Sequence, residues 1–243
     1  QPMFRSEAFV GAKEIDGMDL SSYRLVVTGH SLGACMASIL TLLLRPRFPQ
    51  ARCVAFSPAA AIFSRELADA SAAWCDAFIV GKDIFPRLCW RTAKDLRNKL
   101  LDALRRSKTN KTTALASLVK ETDVARLMYP SNAVPQDDYR AEMGALLEKA
   151  TRLEPGNLLD KIDMFIPGKV LHLAKTHTTR DRAYCGLGTR AKRHYAGMWV
   201  RDRADLGEVQ LSARLILDHM PDHVANVIGE VLQDVENDRR DGV

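Results

Sequence analysis

The chain has 243 residues, 47% of them apolar and 27% charged, a balance that suits a globular protein with one sizeable core. Its longest apolar runs, such as residues 37–44, fall far short of the roughly 18 residues of a membrane-spanning helix, and the start Gln1-Pro2-Met3-Phe4-Arg5 lacks the basic and apolar regions of a signal peptide. The scattered cysteines (Cys35, Cys53, Cys75, Cys89, Cys185) form no CxxC pair and speak against a disulfide framework or structural zinc, while a net charge of +5 without aromatic interleaving speaks against nucleic-acid binding.

In chain order, residues 1–16 read as a short helix and residues 19–22 as a turn. Residues 25–28 (Leu-Val-Val-Thr) are apolar, β-branched and bounded by turn residues, as in a strand buried on both faces of a parallel sheet. A strong helix pattern follows over residues 34–44, ended by Pro46. Residues 52–57 form a second strand stopped by Pro58, and residues 59–73 have helical composition. Residues 76–80 form a third strand, stopped by Gly81-Lys82-Asp83. Strands and helices alternating at this spacing predict βαβ units and a parallel sheet.

From residue 90 to 159 the pattern turns helix-rich, polar and basic, which we read as a helical insertion over 91–165 within a single domain. Between residues 94 and 111, Lys94, Arg97, Lys99, Arg105, Arg106, Lys108 and Lys111 outnumber Asp95 and Asp102, with Leu96, Leu100, Leu101 and Leu104 on one side. That stretch fits either an amphipathic helix packed on the domain or one lying on an anionic membrane surface. Strand character returns over 168–173 and 195–200. The clearest helix spans 221–235, where Val224, Val227, Ile228, Val231, Leu232 and Val235 make one apolar stripe that must dock on the sheet, and residues 236–242 read as a frayed tail.

The chemistry centres on Gly29-His30-Ser31-Leu32-Gly33. In a GxSxG turn the serine sits at a strained strand-to-helix corner that small neighbours permit, and its hydroxyl projects above the sheet. The backbone N–H of Leu32, at the start of the helix, is then available to a developing oxyanion. A serine needs a base, and the base needs an acid, in the chain order Ser, Asp or Glu, His. Asp83 is the candidate acid because it lies just past a strand; Asp76, at the start of that strand, belongs to the other rim. Six histidines compete as base: His30 inside the turn, His172 in a strand, His177 and His194 in a polar link, and His219 and His223 near the end. His219, in a loop before the last helix, is preferred, and His223 reads as a surface histidine.

Val26-Val27-Thr28-Gly29-His30-Ser31-Leu32-Gly33-Ala34, Ala55-Phe56-Ser57-Pro58, Val80-Gly81-Lys82-Asp83-Ile84-Phe85-Pro86-Arg87 and Asp218-His219-Met220-Pro221 together resemble the class 3 lipases, and within them the sn-1-specific diacylglycerol lipases. The resemblance implies an α/β-hydrolase fold and a triad of Ser31, Asp83 and His219, with the helical insert regulating access. It also implies further strands before the nucleophile, a loop there with a second oxyanion donor and, in animal members, an N-terminal membrane-spanning bundle. Only about twenty residues precede the elbow strand here, so the expectation is a partial α/β-hydrolase domain without its N-terminal strands.

The resulting reading is a serine lipase acting on an acylglycerol of diacylglycerol type through an acyl-enzyme. It needs no metal or cofactor, and it is expected in the cytoplasm, at a membrane surface or within a longer anchored protein. Two alternatives stay open: a carboxylesterase or thioesterase with the same triad, and a catalytically impaired interaction domain that keeps the elbow.

Overall fold

A computed structural model describes residues 24–108, 127–152, 163–177 and 193–240, with the backbone of 14–15 and 18–19. Strands β1 (Glu14–Ile15) and β2 (Met18–Asp19) pair antiparallel, Ile15 opposite Met18. This corrects the helix expected over 1–16 at Glu14 and Ile15, where the intervening sequence Asp16-Gly17 is one that favours a hairpin over a helix. The rest of that expected helix, residues 1–13 and 16, lies outside the described residues.

Strands β3 (Val26–His30), β4 (Arg52–Phe56), β5 (Cys75–Val80) and β6 (Lys169–His177) lie side by side in that order and run parallel, and β7 (Arg193–Trp199) joins β6 antiparallel. The architecture is the mostly parallel sheet with flanking helices of the α/β-hydrolase type. Val27 pairs with Cys53, Cys53 with Cys75 and Ala77 with Val170. That register brings the carboxyl ends of β3, β4 and β5 to one rim, so the loops opening at Ser31, Ser57 and Gly81 are neighbours. Open α/β sheets bind ligands at this rim.

Helix α1 (Leu32–Leu44) turns its small residues inward: Ala34, Cys35, Ala37, Ser38 and Thr41 are buried. Small side chains let the helix approach a sheet whose Cys53, Ala55 and Ala77 are themselves small and buried. The hydroxyls of Ser38 and Thr41 donate to the carbonyls of Cys35 and Ala37, each at 2.7 Å, so their burial leaves no donor unmet. The larger Met36, Ile39, Leu40 and Leu43 face outward.

Helix α2 (Arg65–Ala70) is shorter than the 59–73 expected. Phe63 makes a two-way backbone bridge with Phe165, which holds the preceding segment extended, and Ser64 then caps the helix by accepting the Leu67 N–H. Residues 71–73 continue as a 3-10 turn.

Helices α3 (Trp90–Arg106) and α4 (Asp138–Thr151), which follow β5 and precede β6 in the chain, pack together. Arg91 pairs with Asp95 and Asp163, Lys99 with Glu208, and Arg105 and Arg106 with Asp102. Exposed pairs contribute about 0–1 kcal/mol each, so the half-buried Leu96, Leu100, Leu101 and Leu104 hold α3 in place more than its charges do.

Helix α5 (Pro221–Arg240) buries Val224 and Val227 against Val80, Leu173 and Tyr195, with Ile228 and Val231 at the margin; Leu232 and Val235, expected in the docked stripe, are exposed. The helix also runs on through residues 236–240, expected as a frayed tail. No Gly or Pro lies between Val235 and Gly242, and Arg239 and Arg240 complement the helix dipole. His177 and His194, expected in a polar link, fall on the paired ends of β6 and β7. No helix of the described residues is long and apolar enough to cross a membrane. Cys35, Cys53, Cys75 and Cys89 are buried free thiols; Cys185 lies outside the described residues.

Candidate active site

Ser31 stands at the corner between β3 and α1 with φ +57° and ψ −123°, a region that side chains other than glycine rarely adopt. Backbone bonds hold it there: its N–H donates to the Phe56 carbonyl on β4 at 2.9 Å, and its carbonyl accepts from Ala34 and Cys35. A Cβ at Gly29 would overlap the Gly33 carbonyl and come within 2.8 Å of the Ala34 nitrogen, so the corner closes only over glycine there. At Gly33 a Cβ would meet nothing within 4 Å. The need for small neighbours, expected of both glycines, holds for Gly29 alone among the described residues.

The three sequence-derived residues meet at this corner. His219 Nε2 lies 2.9 Å from Ser31 Oγ, and His219 Nδ1 lies 3.0 and 3.1 Å from the two oxygens of Asp83. With the Nδ1 proton on the Asp83 side, Nε2 accepts from the serine hydroxyl. Asp83 is 1% exposed and His219 6%. The Asp83 carboxylate also accepts the Phe85 N–H at 3.0 Å, which fixes its orientation. Leu32 is the first residue of α1, where backbone N–H groups have no partner inside the helix. Asp76 sits at the other rim, paired with Arg52 at 2.7 Å.

Further side chains that the sequence reading did not assign hold this group. His30 donates from Nε2 to the His219 carbonyl at 2.8 Å, and the Phe85 ring lies 4.0 Å from the His219 ring, centre to centre. His172 on β6 donates to the Gly81 carbonyl at 2.7 Å, next to the turn that delivers Asp83. Burial pushes the His172 imidazole below its ordinary value, and the nearby Arg87 guanidinium adds to this. Arg87, 3% exposed, is itself lowered by burial, and the charge of Asp83 opposes that shift. His223, read as a surface residue, is half-buried and meets both Arg214 and Tyr195. In sequence, only the proximity of His30 to Ser31 and of Phe85 and Arg87 to Asp83 was visible.

A groove of about 690 Å³ lined by Asp76, Lys169, Trp199 and Arg203 lies at the opposite ends of the strands, so it is no part of this constellation. Next to Ser31 and His219 in the chain, Leu32, Ile216, Leu217 and Met220 expose large apolar side chains.

Residues 13–93, which carry both the elbow and the Asp83 turn, match the family model for lipase (class 3). Over 237 residues the chain is 29% identical to diacylglycerol lipase-alpha of Rattus norvegicus, covering 96% of this chain and 21% of that protein. It is 28% identical to diacylglycerol lipase-alpha of Homo sapiens over 245 residues, with the same coverages, and 27% identical to diacylglycerol lipase-beta of Mus musculus over 233 residues, covering 87% and 33%. The chain thus spans between about a fifth and a third of the length of these relatives. No solved structure matches it. The resemblance read from the four motifs is borne out: the chain is similar to the class 3 lipases and to diacylglycerol lipases.

Proposed function

We propose that the chain carries the catalytic residues of a serine lipase that hydrolyses an acylglycerol ester, with diacylglycerol as the substrate class. The observation that carries this reading is the unbroken relay from the buried Asp83 carboxylate through His219 to Ser31, with every link at 2.9–3.1 Å.

In this reading Ser31 Oγ attacks the ester carbonyl while His219 Nε2 takes its proton, and Asp83 stabilises the resulting imidazolium through Nδ1. The tetrahedral oxyanion is met by the Leu32 N–H at the positive end of α1. Collapse expels the glycerol-side alcohol, which receives the proton from His219. Water, activated by the same imidazole, then releases the fatty acid. The exposed Leu32 beside Ser31, and Ile216, Leu217 and Met220 beside His219 in the chain, are read as an apolar rim. That rim supports two parts of the proposal: it suits an acyl chain, and it suits peripheral contact with a lipid surface.

The test is labelling with a fluorophosphonate probe, followed by hydrolysis of diacylglycerol, simple carboxylic esters and thioesters. Wild type is expected to label, and Ser31→Ala and His219→Ala to lose labelling, by at least about 10⁴-fold for the nucleophile. Labelling with a preference for short soluble esters or thioesters would replace the lipase reading by esterase or thioesterase. A folded wild-type chain that does not label would point to an impaired, lipase-like interaction domain.

A further inference from the structure

Beside the triad lies a second buried carboxylate, Asp218, 3% exposed, whose oxygens reach away from His219. One oxygen accepts the Lys82 N–H at 2.9 Å. The other meets the Arg214 guanidinium at 3.1 Å and lies 3.4 Å from His223 Nε2. Lys82 immediately precedes Asp83, and Asp218 immediately precedes His219. One carboxylate therefore ties the turn that carries the acid to the turn that carries the base, one residue away from the Asp83–His219 contact on each strand of the chain.

The turn is shaped for this tie. Gly81 has φ +50°, and a Cβ there would come 2.9 Å from Asp218 Cγ and closer still to its oxygen. Its N–H donates to Leu173 and its carbonyl accepts from His172, both on β6. The acid turn is thus fastened to β6 on one side and to Asp218 on the other. The backbone contact between the two loops, Ile84 N–H to the Leu215 carbonyl, is long at 3.4 Å. Asp218 makes the shorter bond, and it is charge-assisted.

We infer that Asp218, held by Arg214, is a positioning residue that fixes the Asp83 carboxylate against His219. The inference rests on the triad reading above. An Asp218 that served only to stabilise the fold would affect activity independently of Asp83. A positioning Asp218 acts through Asp83, so its loss stops mattering once Asp83 has lost its own function.

The experiment is a double-mutant cycle on the rate of fluorophosphonate labelling, with thermal unfolding to confirm that each variant is folded. Asp218→Ala is expected to slow labelling by about 10–100-fold in the wild-type background, as small misplacements of catalytic groups do. In the Asp83→Asn background the same change is expected to cost less than about threefold. Asp218→Asn, which keeps an acceptor for the Lys82 N–H, is expected to retain more rate than Asp218→Ala. Equal losses in both backgrounds, or no loss in a folded Asp218→Ala, would overturn the inference and leave the triad standing. Wild-type labelling by Asp83→Asn would overturn both. Should Asp218→Ala fail to fold, Arg214→Gln, on a side chain 38% exposed, enters the same cycle with the same expected pattern.

Discussion

An alanine at position 29 would drive its Cβ into the Gly33 carbonyl and against the Ala34 nitrogen, both fixed backbone at the start of α1. The strand-to-helix corner would have to open, and Ser31 would leave its place 2.9 Å from His219. Gly29→Ala is therefore expected to cost at least about 100-fold in fluorophosphonate labelling. Gly33→Ala meets open space inside the first turn of a helix, where alanine is favoured over glycine by up to about 1 kcal/mol. It is expected to keep labelling within about threefold and to raise the unfolding temperature. A Gly33→Ala variant as damaged as Gly29→Ala would mean that the space above Gly33 is needed by substrate or filled by another part of the protein. Ser31, Asp83 and His219 were legible in sequence because each follows a recognisable strand or precedes a recognisable helix. Asp218, His172 and Phe85 were not, because their meaning lies in contacts made across the fold: the bond between Asp218 and Lys82 spans 136 positions and that between His172 and Gly81 spans 91.

Among the elements, β6 does more than extend the sheet. Its His172 is half-buried, and it faces the Gly81 carbonyl, the positive Arg87 and the negative Asp218. Burial and Arg87 together outweigh the carbonyl and Asp218, so its folded pKa lies below the ordinary 6.5. Below about pH 6.5 the unfolded chain takes up a proton that the folded one resists, so stability rises with pH there. The contribution is fully present above that value and is lost as pH falls through the lower folded pKa, at no more than about 1.4 kcal/mol per pH unit. Thermal unfolding between about pH 7.5 and about pH 5.5 should show the wild-type midpoint falling more steeply than that of His172→Gln, by about 2–4 °C for each kcal/mol. Parallel slopes would remove His172 from the account. Element order was readable because strand runs and helix runs alternate cleanly. Boundaries were lost where tertiary contacts decide them, as where the Phe63–Phe165 bridge trims α2. The face of α1 was also hidden, since its composition is apolar all round and only packing shows that the small residues go inward.

Across the whole molecule, that inversion leaves an apolar surface on one flank. Met36, Ile39, Leu40 and Leu43 on α1 and Val26 on β3 are each 41–70% exposed. Among the described residues β3 pairs with β4 alone, so its other edge offers unmatched backbone groups beside that surface. A parallel strand with an open edge next to exposed aliphatic side chains is a template for association. Covering one such side chain contributes roughly 1.5–3 kcal/mol, so these residues together rival the cost of about 4–15 kcal/mol for bringing two chains together. The 243-residue chain on its own is therefore expected to self-associate through α1 and β3 in size-exclusion chromatography with light scattering. Replacing Leu40 and Leu43 by lysine should shift it towards monomer. Both residues lie on the half of α1 away from Ser31, so labelling should stay within about threefold of wild type. A wild-type chain that runs as a monomer at high micromolar concentration would show that this flank is tolerated in water, and the edge of β3 would need no partner.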